Sequence, residues 1–375
     1  MFGIDSISKI GEKAAAYGKK ALIVTDRFLG ETDTIRKIIA FLNEKHVASV
    51  LAANVVPNPL DKDVHEGVEL YQKNGCDMII AVGGGSSIDS GKTIGAIVAN
   101  GGKTQDLLDG SALKNPLPPF IAVPTTAGTG SEVTIFAVIT DSTTHEKLIL
   151  FSHSLLPALA ILDPTLTVSL PKNQTVFTGL DALTHAIEAY TTKVSNPISD
   201  ALACSSIELV AKYLQKAYGN GADLEARSGM LLASHLAGIA FSNADLGSVH
   251  TLGEVLAGAC NIPHGAAMAI FLPYVMEHSL EAAADKYAVV ARLLGAKVGG
   301  LSEKEAAKKG IEWIIELERA LKLPALSSFD IKPSSFDSLA AACKKHVCDP
   351  LNPKEIAEED YRKLYQMAFD NVYKI

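Results

Sequence analysis

Four residues in the second half of the 375-residue chain are of types that bind metal ions. Asp181 and His185 stand four apart in GLDALTHAIEAY, so on a helix their side chains leave the same face. His250 opens VHTLGEVLAG and His264 sits in the turn IPHGAA. One carboxylate oxygen and three imidazole nitrogens form a donor set suited to Fe²⁺ or Zn²⁺. An aspartate and a histidine four apart are also common on exposed helices, and a single histidine is more often structural than a ligand. His46, His65, His145, His153 and His278 lie in polar surroundings and read as surface residues, while His235 reads as packed or capping. His346, between Cys343 and Cys348, reads as part of a half-buried helix end rather than a second metal site.

A different chemistry belongs to the first half. Gly83-Gly84-Gly85-Ser86-Ser87 lies between the apolar run MIIAV and a helical pattern starting near Ser86. Glycines there let the backbone turn sharply and approach a ligand, and the amides of a helix N-terminus suit a pyrophosphate. Ser86, Ser87 and Asp89 add polar side chains in the first turn. The loop matches neither GxGxxG nor GxxxxGK[ST], and a strand-to-helix turn with an N-cap serine is the plainer reading. A second loop of small hydroxyl residues and glycines, 124–132 (PTTAGTGSE), follows the next strand and could line a crevice for phosphate and ribose.

The elements needed to hold these residues are legible in the periodicity. ALIVT (21–25), VASVLAANV (47–55), MIIAVGGG (78–85) and FIAVPTT (120–126) read as strands buried on both faces. Helical spacing over 31–44, 61–74 and 86–99 separates them, which predicts a parallel sheet flanked by helices. TIFAVIT (134–140) and ALAILDP (158–164) read as later strands, forming a hairpin or returning to the sheet edge. Past Pro171 the patterns are helical: 181–190, 200–214, 226–241, and stretches near 266–297, 302–321, 335–346 and 354–371. Asp163-Pro164 and Pro171 mark a boundary near 165–171. The predicted fold class is an α/β N-terminal domain with a Rossmann-like parallel sheet (1–166), followed by an all-α helical C-terminal domain (167–375), packed to form a cleft.

Composition bounds the partners. Net charge is −8 without any block of Lys or Arg, so the footprint of a nucleic-acid binder is missing. The N-terminus has no apolar signal-like stretch, and no apolar run approaches the roughly 20 residues of a membrane span. Five scattered cysteines without a CxxC pair suggest reduced thiols and a cytoplasmic enzyme.

GGGSSIDSGK, PTTAGTGSE, ILDPTLT, DALTHAIEAY and the VH…IPHG pair occur in the order and spacing of one family. The sequence resembles the iron-containing (group III) alcohol dehydrogenases over essentially the whole chain, including the thirteen residues separating His250 from His264. The resemblance implies a metal-dependent enzyme moving hydride between NAD and a small primary alcohol or aldehyde. It assigns Asp181, His185, His250 and His264 to a catalytic metal, Fe²⁺ or else Zn²⁺ or another divalent ion. It places Gly84, Gly85, Ser86 and Asp89 on the pyrophosphate. Thr125, Thr126, Thr134, Phe136 and Lys147 would line the cofactor cleft, with Asn58 approaching it. Asp26 matches an acidic position near the adenosine ribose, where a carboxylate accepts from the hydroxyls and repels a 2′-phosphate, hence NAD over NADP.

Two departures from the family pattern stand out. The N-terminus begins about a dozen residues later than usual, lacking a leading strand used in dimer contacts, so the expected homodimer or larger homo-oligomer is open. Members nearest the propanediol and lactaldehyde enzymes carry a histidine four residues after the position of His250, where this chain has Glu254. His250 and Glu254 are the residues expected nearest the nicotinamide. Glu254 could tune the metal, relay the alcohol proton, select a cationic substrate group, or simply bond a neighbour. Readings kept beside the dehydrogenase are a dehydroquinate synthase-like lyase, a glycerol dehydrogenase-like enzyme and a non-catalytic NAD- or metal-binding module.

Overall fold

The computed structural model describes residues 1–373 except 109, 111, 145 and 261. His145 therefore lies outside the described residues. The chain divides between Leu170 and Pro171 into two compact units.

In the first unit, strands β1 (Lys20–Asp26), β2 (Ala48–Val55), β3 (Met78–Gly83), β4 (Phe120–Pro124) and a two-residue β7 (Leu159–Ala160) form one sheet. Its order is β2-β1-β3-β4-β7, and every pairing is parallel. A short separate ribbon pairs β5 (Phe136–Thr140) antiparallel with β6 (Lys147–Phe151). Helices α1 (Ile10–Ala15), α2 (Arg27–Gly30), α3 (Asp33–Glu44), α4 (Asp61–Asn74) and α5 (Gly85–Asn100) connect and cover the strands.

Alternation along the strands explains this arrangement. Ala21, Ile23, Ile80, Val82, Ile121 and Val123 face one core with Ile10, Ile35, Ile38 and Leu42 of α1 and α3. Leu22, Val24, Ile79, Ala81 and Ala122 face the other, with Val64, Val68, Ile88 and Ile94 of α4 and α5. Each Val, Leu or Ile among them contributes about 1.5–3 kcal/mol when fully buried. β-propensities span only about 1 kcal/mol, so two-sided burial fixes the strands.

One expectation is corrected. β2 is not buried on both faces: it is an edge strand, and Leu51 is exposed. The other later strands resolve separately. ALAILDP returns to the sheet edge as β7, while TIFAVIT forms its ribbon with 147–151, a strand absent from the sequence reading.

The second unit holds no strand among its described residues and is built from α6 (Lys172–Thr191), α7 (Pro197–Gly219), α8 (Leu224–Ala244), α9 (Ser248–Cys260), α10 (His264–Ser279), α11 (Ala284–Leu293), α12 (Glu303–Ala320), α13 (Phe336–Cys343) and α14 (Glu358–Phe369). Their starts follow the chemistry of orphan amides. Asn196 and Ser302 close capping boxes before α7 and α12, and Asp223 caps α8 through the amide of Ala226. α6 packs against α7, α8 and α10 and is buried along almost its whole length from Thr175. A helix enclosed in this way can present polar groups only inward.

Candidate metal centre and nucleotide loops

α6 carries the inner polar groups at Asp181, His185 and Glu188, spaced by four and three residues and hence on one face. His250 comes from the first turn of α9, and His264 is the first residue of α10. Gly265 allows this approach, because a Cβ there would run into the Phe177 carbonyl oxygen and lie 3.3 Å from Asp181 Cβ. Asp181, His185, His250 and His264 each offer one ligand atom, and all four atoms lie within 4.8 Å of one another. Asp181 Oδ1 is 3.5 Å from His264 Nε2 and 3.9 Å from the Nε2 atoms of His185 and His250. The His185 ring stacks between Phe241 and His250, with centroids 4.5 and 4.6 Å away, which fixes its plane.

Two atoms show what the cluster fits. Among the described residues, Asp181 Oδ1 and His250 Nε2 are buried without a hydrogen-bond partner. Leaving a buried polar atom unmade costs about 1–3 kcal/mol, and a cation accepting both lone pairs removes that cost. Glu188 prepares one of them. Its Oε1 accepts from the Val249 amide at 2.7 Å, and its Oε2 lies 2.5 Å from His250 Nδ1. With the proton held at Nδ1, the His250 Nε2 lone pair is directed into the cluster. Burial pushes the Asp181 carboxyl upward, opposed by His264 and His250. For His250, burial favours the neutral ring, but the Glu188 carboxylate outweighs it and raises the pKa. A bound divalent ion reverses the pressure on Asp181 by favouring the carboxylate.

Glu254 lies one turn past His250 on α9 and accepts from His346 Nε2 at 2.9 Å. Burial raises its pKa, but the hydrogen bond from His346, with His264 and His250 behind, outweighs it and lowers the pKa. The flanking thiols are not poised as ligands: burial pushes Cys343 up to about 12 and Cys348 well above its usual range. All five cysteines are free. Of the remaining histidines, His46 and His153 are exposed. His65 and His278 are half-buried rather than on the surface, and burial lowers the His278 pKa.

In the first unit, Gly83 pairs with Pro124 at the carboxyl ends of β3 and β4, and the Thr125 amide donates to the Gly83 carbonyl at 2.9 Å. The two loops are therefore neighbours. α5 starts at Gly85 with Gly84 as its N-cap, and no side chain caps it, in contrast to the N-cap serine the plainer reading expects. A Cβ on Gly85 would lie 2.7 Å from Thr129 Cγ2, and one on Gly84 3.2 Å from Thr126 Cγ2. These glycines let the second loop close onto the first. Ser86 is half-buried beside them.

Asp89, near the start of α5, ties that helix to the segment that follows β4. Its Oδ1 accepts from the Ser131 hydroxyl of the second loop and its Oδ2 from the Val138 amide of β5 at 3.1 Å. Lys92, not singled out from sequence, completes the fastening. It is fully buried and donates to the Thr134 carbonyl (2.7 Å), Thr134 Oγ1 (3.0 Å) and the Phe136 carbonyl (2.7 Å). Burial lowers its pKa to about 8, with Asp89 and Glu132 opposing. Asn58 and Lys147 meet each other: Lys147 Nζ donates to Asn58 Oδ1 at 2.8 Å and to Thr140 Oγ1 at 3.0 Å. Asn58 holds a left-handed φ of 56°, which asparagine tolerates better than most residues. Asp26 ends β1 and caps α2, accepting from the Leu29 amide at 2.9 Å through one oxygen.

A doubly covered parallel sheet with uncapped glycine loops, and a helical unit with a buried aspartate–histidine cluster, define a nucleotide- and metal-using class of enzyme. Comparison makes this specific. Residues 1–164 match iron-containing alcohol dehydrogenase, and residues 175–369 match the C-terminal part of the Fe-containing alcohol dehydrogenase family. The chain belongs to the iron-containing alcohol dehydrogenase family. It is 39% identical over 372 residues to the 1,3-propanediol dehydrogenase of Klebsiella pneumoniae, covering 98% of this chain and 96% of that protein. It is 36% identical over 370 residues to the NAD-dependent methanol dehydrogenase of Bacillus methanolicus, covering 98% and 97%. The crystal structure of a 1,3-propanediol oxidoreductase superposes with a TM-score of 0.96 at 39% identity, covering 98% and 97%.

Proposed function

We propose that this protein interconverts small primary alcohols and aldehydes, with NAD bound by the first unit and one divalent ion, Fe²⁺ foremost, held by Asp181, His185, His250 and His264. The observation that carries this reading is the convergence of four ligand atoms within 4.8 Å, two of them buried without partners. When bound, the ion supplies Lewis acidity toward the substrate oxygen, and NAD accepts or donates the hydride.

The chain's own groups supply the rest. Glu188 holds the Nδ1 proton of His250 and so keeps Nε2 as a donor. The uncapped start of α5 at Gly84, Gly85 and Ser86 offers amides and a positive helix end to the pyrophosphate. Thr125 and Thr126 flank that position, while Thr134 and Phe136 are fixed through Lys92. Asp26 retains a carboxylate oxygen beyond its capping bond for ribose hydroxyls, which supports NAD over NADP. Family membership also supports assembly as a homodimer or larger homo-oligomer working in the cytoplasm. Among the described residues no helix is long and apolar enough to cross a membrane.

An assay of NADH formation from short primary alcohols, with metal content measured on the same sample, tests the reading. His264→Ala should lose the ion and lower turnover on the order of 10²–10³-fold, while NADH binding persists. A metal-free variant with full activity would overturn it. A lyase that regenerates its cofactor would give no net NADH.

A further inference from the structure

We infer that the Glu254–His346 pair carries one net negative charge beside the metal ligands and confines the substrate to neutral and cationic alcohols and aldehydes, excluding anionic ones. This narrows the substrate class of the proposed dehydrogenase and rests on that function.

The charge follows from where the imidazole proton must sit. The backbone N–H of Cys348 donates to His346 Nδ1 at 3.3 Å, and Thr251 Oγ1 lies 3.5 Å from the same atom. A backbone N–H can only donate, so Nδ1 keeps its lone pair. The ring's single proton is then on Nε2, where it meets Glu254 Oε2 at 2.9 Å. A second proton at Nδ1 would break the Cys348 bond. The imidazole is therefore neutral, and nothing within the pair cancels the Glu254 carboxylate.

The surroundings do not cancel it either. Glu254 shares the His250 face of α9, and its charge is felt at Asp181 and Asp245. The leading charge effects on Asp181, Asp245, Glu254 and Cys348 come from carboxylates and histidines, none from Lys or Arg. Asp181, Glu188 and Glu254 together outweigh a divalent ion by one negative charge. The Glu254 and His346 side chains are only 13% and 11% exposed, so water screens this charge weakly. An anionic substrate meets repulsion there, a neutral one does not, and a cationic one is attracted. If Glu254 merely ties α9 to the segment after α13, substrate charge should not matter.

Three alcohols of similar shape separate these cases: 3,3-dimethyl-1-butanol (neutral), choline (cationic) and isethionate (anionic). With the metal-loaded enzyme and NAD⁺, kcat/KM for the neutral alcohol should exceed that for isethionate by at least about tenfold, with choline not disfavoured. In Glu254→Gln, at unchanged metal content, the neutral-to-anionic ratio should fall about tenfold. Equal use of isethionate by the wild type, or an unchanged ratio in the variant, overturns the inference. Absence of NADH from every alcohol would instead strike at the dehydrogenase function. The charge assignment has its own activity-free check: ¹⁵N NMR of the Zn²⁺-loaded wild type should find His346 neutral and protonated at Nε2. A doubly protonated ring would overturn it.

Discussion

Glu188 and Glu318 are both buried glutamates of the helical unit, and what each faces decides what it does. Glu188 meets the Val249 amide and the His250 ring, so its negative charge is used twice. Removing that charge with Glu188→Gln should weaken metal affinity about 10–100-fold, read by competition with a chelator, with the fold retained. Glu318, at the end of α12, is fully buried and neither oxygen has a hydrogen-bond partner among the described residues. Burial alone raises its pKa well above the usual value. A carboxyl whose folded pKa exceeds its unfolded value of about 4.3 is tolerated protonated and penalises the fold as pH rises from there toward the folded pKa. Glu318→Met should accordingly raise stability at pH 8 by about 1–3 kcal/mol, and by less at pH 4, as read from urea midpoints. A variant less stable at pH 8 would show that Glu318 has a partner after all. At this scale the ligand types were legible in the sequence. Glu188 was not, although its seven-residue spacing from Asp181 puts it on the same helical face.

At the scale of elements, α5 is more than a wall of the sheet. Through Asp89 and Lys92 it fastens residues 131–138, so the second glycine-bearing loop takes its position from the first. Lys92→Met should release that loop and raise the NADH dissociation constant about tenfold, equivalent to about 1.4 kcal/mol, without changing metal content. Unaltered NADH affinity would mean the fastening is dispensable. Sequence periodicity revealed the strands and helices wherever apolar positions repeat over several turns or span a strand buried on both sides. It overstated β2, where Ala and Ser residues obscure which positions face solvent on an edge. It missed β6, five residues long and entered from the polar stretch TTHEK. The role of Lys92 was hidden for a related reason: a lysine next to a glycine loop suggests solvent or phosphate, whereas its three acceptors are backbone and hydroxyl oxygens far along the chain.

Across the whole molecule, the change from alternating strands and helices to helices alone coincides with the division at Leu170/Pro171, where two prolines and an aspartate punctuate the sequence. What a single sequence could not convey was convergence. His250 and His264 reach Asp181 only because α9 and α10 start against α6, and that depends on small residues such as Gly265 as much as on the ligands. The central claim is that these four side chains hold one catalytic ion, and titrating metal-free protein with Fe²⁺ or Zn²⁺ under NADH-coupled turnover tests it most directly. Activity should rise in proportion to bound metal and level off at one ion per chain, with Asp181→Ala showing neither uptake nor turnover. Full turnover by the metal-free protein, or undiminished metal uptake by Asp181→Ala, would contradict it.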